Sequence, residues 1–312
     1  MRTSLPNSQG APLAAATLPR SGAATARLAD YLILTKPRIA LLALVTVCAG
    51  YALGSENVWR AVPLTHALVG IVLVAAGSSA LNQYLERDSD ALMRRTANRP
   101  LPAGRLAPVE VLLFGWGTGV AGVLYLAAFV NLATALLSAL TLLLYAGIYT
   151  PLKRHSGLAT AVGAIPGALP PVLGWVASGA PLNAAAFSLF AVLFLWQFPH
   201  FLAIGWIYRE EYARAGLRML PARGAMPRIV GLAAVCYALV LVPLSVYPAT
   251  CGLAGSVYSV VALILSLGYL AAAIRFAWTE SRATARGLLY ASLIYLPVLL
   301  LMLVWDHFRL LA

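Results

Sequence analysis

Long apolar runs separated by short polar stretches dominate the chain. A run of about 20 apolar residues is long enough to cross a hydrocarbon layer of ~30 Å as a helix. Nine such runs occur, at 34–54, 64–85, 107–129, 132–150, 157–178, 184–207, 229–247, 252–274 and 287–305. The pattern predicts an all-α, polytopic membrane protein with nine transmembrane helices. The fifth run carries Pro166, Pro170 and Pro171, which predict a break in that helix.

Composition and charge agree with a lipid-embedded chain. Hydrophobic residues make up 61% of the 312 residues and charged residues 10%, whereas soluble domains carry about 25% charged residues. The net charge of +12 follows from topology, because 20 of the 22 basic residues lie on one predicted side of the membrane. Only Arg60 and Arg309 fall outside this set. We therefore expect a cytoplasmic N-terminus, an external C-terminus and no nucleic-acid partner.

The first 30 residues differ from the rest of the chain. They are rich in Ala, Ser, Thr and Pro, contain three Arg and have no acid before Asp30. We predict a disordered extension over 1–30 and a transmembrane domain over 31–312. A bacterial cytoplasmic membrane fits this reading. An organellar transit peptide has the same composition, which keeps the mitochondrial inner membrane as the alternative.

Five of the ten acidic residues form two groups, both on the predicted cytoplasmic side, and the first group follows the second span. If that helix continues, Asn82, Glu86 and Asp90 share one stripe, because each step of four residues turns a helix by only about 40°. Asp88 points nearly the opposite way. Two carboxylates and an amide carbonyl are hard oxygen donors of the kind that Mg²⁺ prefers. The stripe is therefore a candidate Mg²⁺ site.

Basic residues follow the stripe closely. Arg94, Arg95 and Arg99 precede a turn rich in Pro and Gly, and planar guanidinium groups match the geometry of phosphate. Acids that hold a metal, followed by cations that match phosphate, suit a magnesium-bound diphosphate. The alternative to a metal site is an ordinary helix end. Asp90 would then pair with Arg94 at i+4, and the charges would only fix the orientation of the helix in the membrane.

The second acidic group, Glu210 and Glu211, follows the sixth span, which carries Pro199 and His200. On one continuous helix, His200 and Glu211 would share a face, because eleven residues correspond to three turns with about 20° of rotation. A histidine inside a membrane span is either a hydrogen-bond partner between helices or a functional group. The neighbouring proline and acids favour function here.

Several segments resemble one known family. Residues 82–100 match the pattern N-x-x-x-[D/E]…D…M-x-R-T-x-x-R-P of the UbiA superfamily of intramembrane prenyltransferases. Within that superfamily, the chain is most similar to the branch that modifies haem. The further segments that carry this resemblance are 34–39, 149–154, 167–175, 199–201 and 211–221. They occur in order between about residues 30 and 225.

The resemblance implies a fold and a reaction. The fold is a nine-helix bundle around a central cavity. Mg²⁺ and the acidic motif hold farnesyl diphosphate, the farnesyl group passes to a vinyl group of haem B, and water adds to give haem O for terminal oxidases. Haem B is then a substrate, the lipid bilayer surrounds the enzyme, and haem A synthase or a terminal oxidase is an implied partner.

The resemblance also implies roles for individual residues. Metal-binding and catalytic roles fall to Asn82, Glu86 and Asp90, and a catalytic or haem-orienting role falls to His200. Substrate-binding roles fall to Lys36, Arg95, Arg99, Lys153, Arg154, Glu211 and Tyr212. The loop after the sixth span departs from the wider superfamily, because Ile207 and Ala215 stand four residues either side of Glu211 where a DxxxD motif would need acids. A second Mg²⁺ is therefore left open.

Three alternatives remain open on the sequence alone. The first is another UbiA-type prenyltransferase that acts on an aromatic or quinone precursor. The second is a transporter, since a proline-broken helix and an intramembrane histidine would also serve a permeation path. The third is a haem-binding protein of oxidase assembly that has no catalytic activity.

Overall fold

The computed structural model describes residues 20–55, 60–218 and 228–312. Its regular elements are all helices, and nine of those in the described ranges are long and apolar enough to span a membrane. The spans are α2 Pro37–Gly54, α3 Ala61–Asp90, α4 Pro108–Phe129, α5 Leu132–Leu152, α6 Ala159–Ala177, α7 Ala184–Ile207, α9 Ile229–Thr250, α10 Ser256–Trp278 and α11 Arg282–Leu311. The prediction of an all-α membrane protein with nine spans is confirmed.

A further helix, α1, covers Arg20–Thr35 and precedes the first span. The predicted boundary at residue 30 falls inside this helix, and residues 1–19 lie outside the described part of the chain. Asp30 near the end of α1 is buried and accepts a hydrogen bond from Arg105 at 2.9 Å. This ion pair attaches α1 to the connection between α3 and α4.

Glycines allow α3 and α4 to pack with their backbones in close contact. A Cβ atom added to Gly77 would lie 2.6 Å from the carbonyl oxygen of Gly115, and one added to Gly122 would lie 2.8 Å from that of Gly70. In lipid, helices associate mainly through van der Waals contact and interhelical hydrogen bonds, so small residues at their interface bring the helices together. This packing gives α3 a fixed neighbour along its length.

The proline-rich α6 packs against α2 in the same way. A Cβ atom added to Gly174 would lie 1.9 Å from the carbonyl oxygen of Val47, and one added to Gly50 would lie 1.8 Å from that of Pro171. The regular helix is interrupted at Leu169, directly before Pro170. The predicted break is therefore present, and the neighbouring helix α2 covers it.

Single acids at the ends of spans hold helix termini in place. Glu280 accepts hydrogen bonds from the backbone of Gly231 and Arg228 at the start of α9. Asp306 accepts from the backbone of Gly255 and Tyr258 at the start of α10. The Asp306 side chain is fully buried. Carboxylates stabilise helix N-termini, where backbone N–H groups lack partners.

Candidate active site

The predicted acidic stripe lies at the C-terminal end of α3. The helix continues without interruption to Asp90, as the stripe requires. Asn82 and Asp90 are each 1% exposed and Glu86 is also buried, whereas the side chain of Asp88 is 72% exposed. The helical spacing thus separates three buried side chains from one solvated carboxylate.

Each side chain of the stripe contacts a basic residue from a different segment. The Lys36 ammonium donates to Asn82 Oδ1 at 2.8 Å. Lys153 Nζ lies 2.7 Å from Glu86 Oε1, and Arg99 Nη1 lies 2.6 Å from Asp90 Oδ2. Buried carboxylates are costly unless they are paired. The arrangement therefore brings three cations and three oxygen-bearing side chains into one cluster.

Lys36 lies at the junction of α1 and α2, in a backbone conformation that is unusual for a residue with a side chain. Its φ of 50° and ψ of 59° are left-handed, a region that non-glycine residues adopt rarely and at a cost of about 1–3 kcal/mol. Burial first, and the charge of Arg99 second, lower the pKa of Lys36 to about 7. The junction therefore holds a lysine that is near its titration point at neutral pH.

Lys153 follows the end of α5 and lies among groups that favour its charged form. Burial lowers the pKa of Lys153, but Tyr149 and Glu86 outweigh burial and raise its pKa above the ordinary value. The ammonium lies 4.1 Å from the centre of the Tyr149 ring. The backbone carbonyl of Lys153 accepts a hydrogen bond from the backbone N–H of Arg218, so the segment that follows α7 contacts this site.

Asp90 pairs with Arg99 and not with Arg94, so the i+4 pair considered from the sequence is wrong. The helix ends at Asp90, and the following turns bring Arg99 back over the stripe, where the Thr96 hydroxyl also bonds the Asp90 carbonyl. Asp90 Oδ1 is buried and has no hydrogen-bond partner within the described residues. A buried carboxylate oxygen without a partner is a free acceptor for a cation or a ligand.

The donor set fits Mg²⁺. Asn82, Glu86 and Asp90 offer hard oxygens along one buried stripe, and Asp90 Oδ1 has no hydrogen-bond partner in the described part of the chain. Within the described ranges, no three His, Cys, Asp or Glu side chains group closely enough to hold a metal by themselves. Mg²⁺ is usually bound by one or two carboxylates together with substrate phosphates. The cluster is therefore suited to a metal that arrives with an anionic substrate.

His200 lies on α7 and faces α11 through its ring. Its Nδ1 lies 2.7 Å from the Ser292 hydroxyl oxygen, which donates its own hydrogen to the Leu289 carbonyl at 2.6 Å. Ser292 must therefore accept from His200, so Nδ1 carries the proton and Nε2 carries the lone pair. The ring also stacks on Trp196 at 5.0 Å.

The expected common face of His200 and Glu211 is wrong. The helix α7 ends at Ile207, Tyr208 is not helical, and a separate helix α8, Arg209–Arg214, carries Glu211. The two residues therefore lie on different helices.

Helix α8, which carries the second acidic group, lies near the stripe on α3. Burial raises the pKa of Tyr212, and the charges of Arg95 and Lys153 act on its hydroxyl in the opposite direction, which places α8 beside the stripe. Arg95 stacks over the Tyr208 ring at 5.2 Å. Glu211 Oε2 is buried without a partner in the described chain. Arg95 and Tyr212 thus border the cluster, and Glu211 directly precedes Tyr212 on α8.

Arg154 lies against α3 but does not contact the stripe. It donates to the Leu85 carbonyl at 3.3 Å on the exposed side of α3, and its side chain is solvent-exposed. Of the predicted basic residues, Lys36, Lys153 and Arg99 contact the stripe directly and Arg154 does not.

Two polar residues of the site were not singled out from the sequence. Thr150 is buried and accepts a hydrogen bond from Asn82 Nδ2 at 3.1 Å. Ser292 fixes the proton of His200. Thr150 lies inside the segment 149–154 that carries the family resemblance, so a signal for it existed. Ser292 lies 92 residues from His200, and nothing local marks it.

Known proteins match this chain over most of its length. The chain matches the UbiA prenyltransferase family over residues 43–308. It is 43% identical to a protein of Solibacter usitatus named protoheme IX farnesyltransferase, over 89% of this chain and 98% of the relative. A protein of Koribacter versatilis with the same name is 40% identical, over 93% of this chain and 96% of the relative.

Solved structures share the fold at lower identity. One, of a digeranylgeranylglyceryl phosphate synthase, has a TM-score of 0.75 and 19% identity, over 90% of this chain and 99% of that one. A UbiA homologue from Archaeoglobus fulgidus, bound to GPP and Mg²⁺, has a TM-score of 0.61 and 19% identity, over 88% of this chain and 99% of that one. These matches and the nine spans lead to one conclusion. The chain is an integral membrane protein that belongs to the UbiA prenyltransferase family.

Proposed function

We propose that this prenyltransferase moves a farnesyl group from farnesyl diphosphate to a vinyl group of haem B, with addition of water, to give haem O. One observation carries the proposal. The buried stripe of Asn82, Glu86 and Asp90 is faced by basic groups from three other segments. The relatives named protoheme IX farnesyltransferase, which align over nearly their whole length, support the choice of prenyl donor and acceptor.

The stripe and its cations match the two parts of a metal-bound diphosphate. Asn82, Glu86 and Asp90 would hold Mg²⁺, and Lys36, Lys153 and Arg99 would turn towards the phosphate oxygens. The ion supplies Lewis-acid stabilisation of a leaving diphosphate. A structure of a UbiA homologue with GPP and Mg²⁺ supports this assignment. The loop after α7 has no DxxxD motif, because Ile207 and Ala215 stand four residues either side of Glu211. We therefore propose a single Mg²⁺.

The reaction begins when the bond between C1 and oxygen of farnesyl diphosphate breaks and the electron pair stays on the diphosphate. The three basic side chains stabilise that negative charge where it develops. A vinyl carbon of haem B donates its π electrons to the allylic C1. Water then adds to the cation on the porphyrin side chain and loses a proton, which completes a hydroxyethylfarnesyl group. Exclusion of water from the apolar helix bundle would protect C1 until the new carbon–carbon bond has formed.

His200 is our candidate for orienting haem B. Ser292 holds the proton on Nδ1, so Nε2 presents a lone pair. A neutral imidazole whose other nitrogen is hydrogen-bonded is a common ligand of haem iron. Arg95 at the edge of the cluster and the exposed Arg154 are candidates for the haem propionates, because guanidinium groups bind carboxylates in a bidentate way.

The distribution of basic residues supports one orientation of the protein in the membrane. The basic connections carry the candidate site, so the positive-inside rule supports a site on the cytoplasmic face, and we propose a bacterial cytoplasmic membrane. The mitochondrial inner membrane is the alternative that a transit peptide in residues 1–30 would imply. The product is a haem, so a haem A synthase or a terminal oxidase is the partner that would receive it.

Asp90→Asn tests the function, and Asp88→Asn is the matched control. Both remove one carboxylate from the end of α3, but only Asp90 is buried in the stripe. With farnesyl diphosphate, haem B and Mg²⁺, Asp90→Asn should lower haem O formation by about 100-fold or more, as loss of a group that stabilises transition-state charge does. Asp88→Asn should keep its rate. Equal rates for the two variants would refute the metal role of the stripe, and prenylation of an aromatic acid instead of haem would reassign the acceptor.

A further inference from the structure

The side-chain amide of Asn82 is held at both ends. Its Oδ1 accepts from the Lys36 ammonium at 2.8 Å, and its Nδ2 donates to the Thr150 hydroxyl at 3.1 Å. Asn82 and Thr150 are both buried, at 1% and 3% exposure. Water therefore has little access with which to replace either hydrogen bond.

The hydrogen of the Thr150 hydroxyl is already engaged. Thr150 Oγ1 donates to the Tyr145 carbonyl at 2.8 Å. A hydroxyl has one hydrogen, so towards Asn82 the Thr150 oxygen is only an acceptor. The group of Asn82 that faces Thr150 must then be the NH₂ group, and the carbonyl oxygen must face the cluster.

The turn before Thr150 explains why the Tyr145 carbonyl is in reach. Residues Leu143–Tyr149 form a π-helical turn within α5, and the backbone N–H of Thr150 bonds the carbonyl five residues earlier, at Tyr145. The hydroxyl of Thr150 bonds that same carbonyl. Such wide turns are rare and occur often at functional sites.

We propose that Thr150 is a positioning residue, which fixes the Asn82 amide so that its carbonyl oxygen, and not its NH₂ group, faces the metal–diphosphate site. The inference rests on the proposed function. A carbonyl oxygen is a ligand for Mg²⁺, whereas an NH₂ group has no free lone pair and repels a cation. Lys36 also selects the carbonyl oxygen in the free protein, but in the proposed complex it turns towards the phosphate and leaves Thr150 to fix the amide. Without Thr150, both orientations of the amide are then available, and one of them cannot bind the ion.

Three single variants test this role through binding. Mg²⁺ is titrated into the detergent-solubilised full chain with a fixed amount of farnesyl thiodiphosphate, an unreactive analogue, and bound analogue is counted after rapid filtration. Thr150→Val keeps the shape but loses the hydroxyl, and should raise the half-saturating Mg²⁺ concentration by about 10-fold or more, as loss of a residue behind a metal ligand does. Thr150→Ser keeps the hydroxyl and should stay within about two-fold of wild type. Thr150→Ala replaces the valine variant if that variant does not fold.

The same substitution in an Asn82 variant distinguishes an effect on the orientation of the amide from an effect on packing. In Asn82→Asp, both side-chain atoms are oxygens, so no orientation remains to be set. Adding Thr150→Val to Asn82→Asp should change the half-saturating Mg²⁺ concentration by less than about three-fold, because the coupling between the two sites is lost.

The outcomes distinguish the two proposals. Wild-type protein that binds the analogue without any need for Mg²⁺ would overturn the proposed function. Wild-type protein that needs Mg²⁺, with Thr150→Val unchanged or Thr150→Ser as impaired as Thr150→Val, would overturn the positioning role alone.

Discussion

The ion pair between Lys153 and Glu86 should dominate the stability of the cluster when no substrate is bound. Both side chains are 11% exposed and their charged atoms are 2.7 Å apart. Lys153→Met removes the ammonium but leaves the Glu86 carboxylate buried. Removing one partner of a buried pair costs about 3–5 kcal/mol, mainly because the other charge remains uncompensated. We expect a loss of that size in the free energy of unfolding.

A compensating variant tests the cause of that loss. Glu86→Gln in the Lys153→Met background removes the carboxylate that has lost its ion-pair partner, so most of the lost stability should return. Replacing a whole buried ion pair by neutral groups is often close to neutral. Asp88→Asn is the matched control, because its pair with Arg87 is exposed and 3.8 Å apart, and such pairs contribute about 0–1 kcal/mol.

The assay is equilibrium unfolding of the purified proteins in mixed micelles of a mild detergent and increasing sodium dodecyl sulfate, followed by tryptophan fluorescence. The transitions are compared at one pH and one ionic strength without Mg²⁺. A Lys153→Met variant whose free energy of unfolding lies within about 1 kcal/mol of wild type, the range of an exposed pair, would show that the buried pair does not stabilise the cluster. So would a double variant that is less stable than Lys153→Met.

Three further predictions concern packing, a helix terminus and haem. Gly174→Ala should destabilise the protein by about 1–3 kcal/mol, because its Cβ would lie 1.9 Å from a backbone oxygen of α2. The control Gly268→Ala has open space around its Cβ and should be neutral or stabilising in the same unfolding assay. Asp306→Ala should lower the free energy of unfolding by about 1–3 kcal/mol through two unpaired N–H groups at the start of α10, and a shift below 0.3 kcal/mol would contradict this role of the carboxylate. His200→Ala should abolish the absorption and spin-resonance signature of imidazole-bound ferric haem, while Ser292→Ala should weaken haem binding about 10-fold; an unchanged haem spectrum in His200→Ala would exclude iron ligation.

The spans were predictable because each is a local property of the chain. Length and hydropathy located all nine, and the stripe followed from helical spacing once α3 extended to Asp90. The helix ends were less predictable. The helix α11 runs five residues earlier and six later than the apolar run at 287–305, because the polar residues of its first and last turns do not interrupt hydrogen bonding within the helix.

The partners within the site were not predictable, because they come from distant segments. Lys36 is 46 residues from Asn82, and Lys153 is 67 residues from Glu86. Sequence spacing gives the face of one helix but not which loop covers it. The pair between Asp90 and Arg99 depends on the turns that follow α3, and a helical count pointed to Arg94 instead.

The product formed from haem B decides whether this protein is a haem B farnesyltransferase. Purified protein is incubated with haem B, farnesyl diphosphate and Mg²⁺ in water enriched in ¹⁸O, and the haem products are weighed by mass spectrometry. We expect a haem whose mass is increased by one farnesyl group and one water that carries the label. Unmodified haem B, or a farnesylated haem without the labelled oxygen, would contradict it.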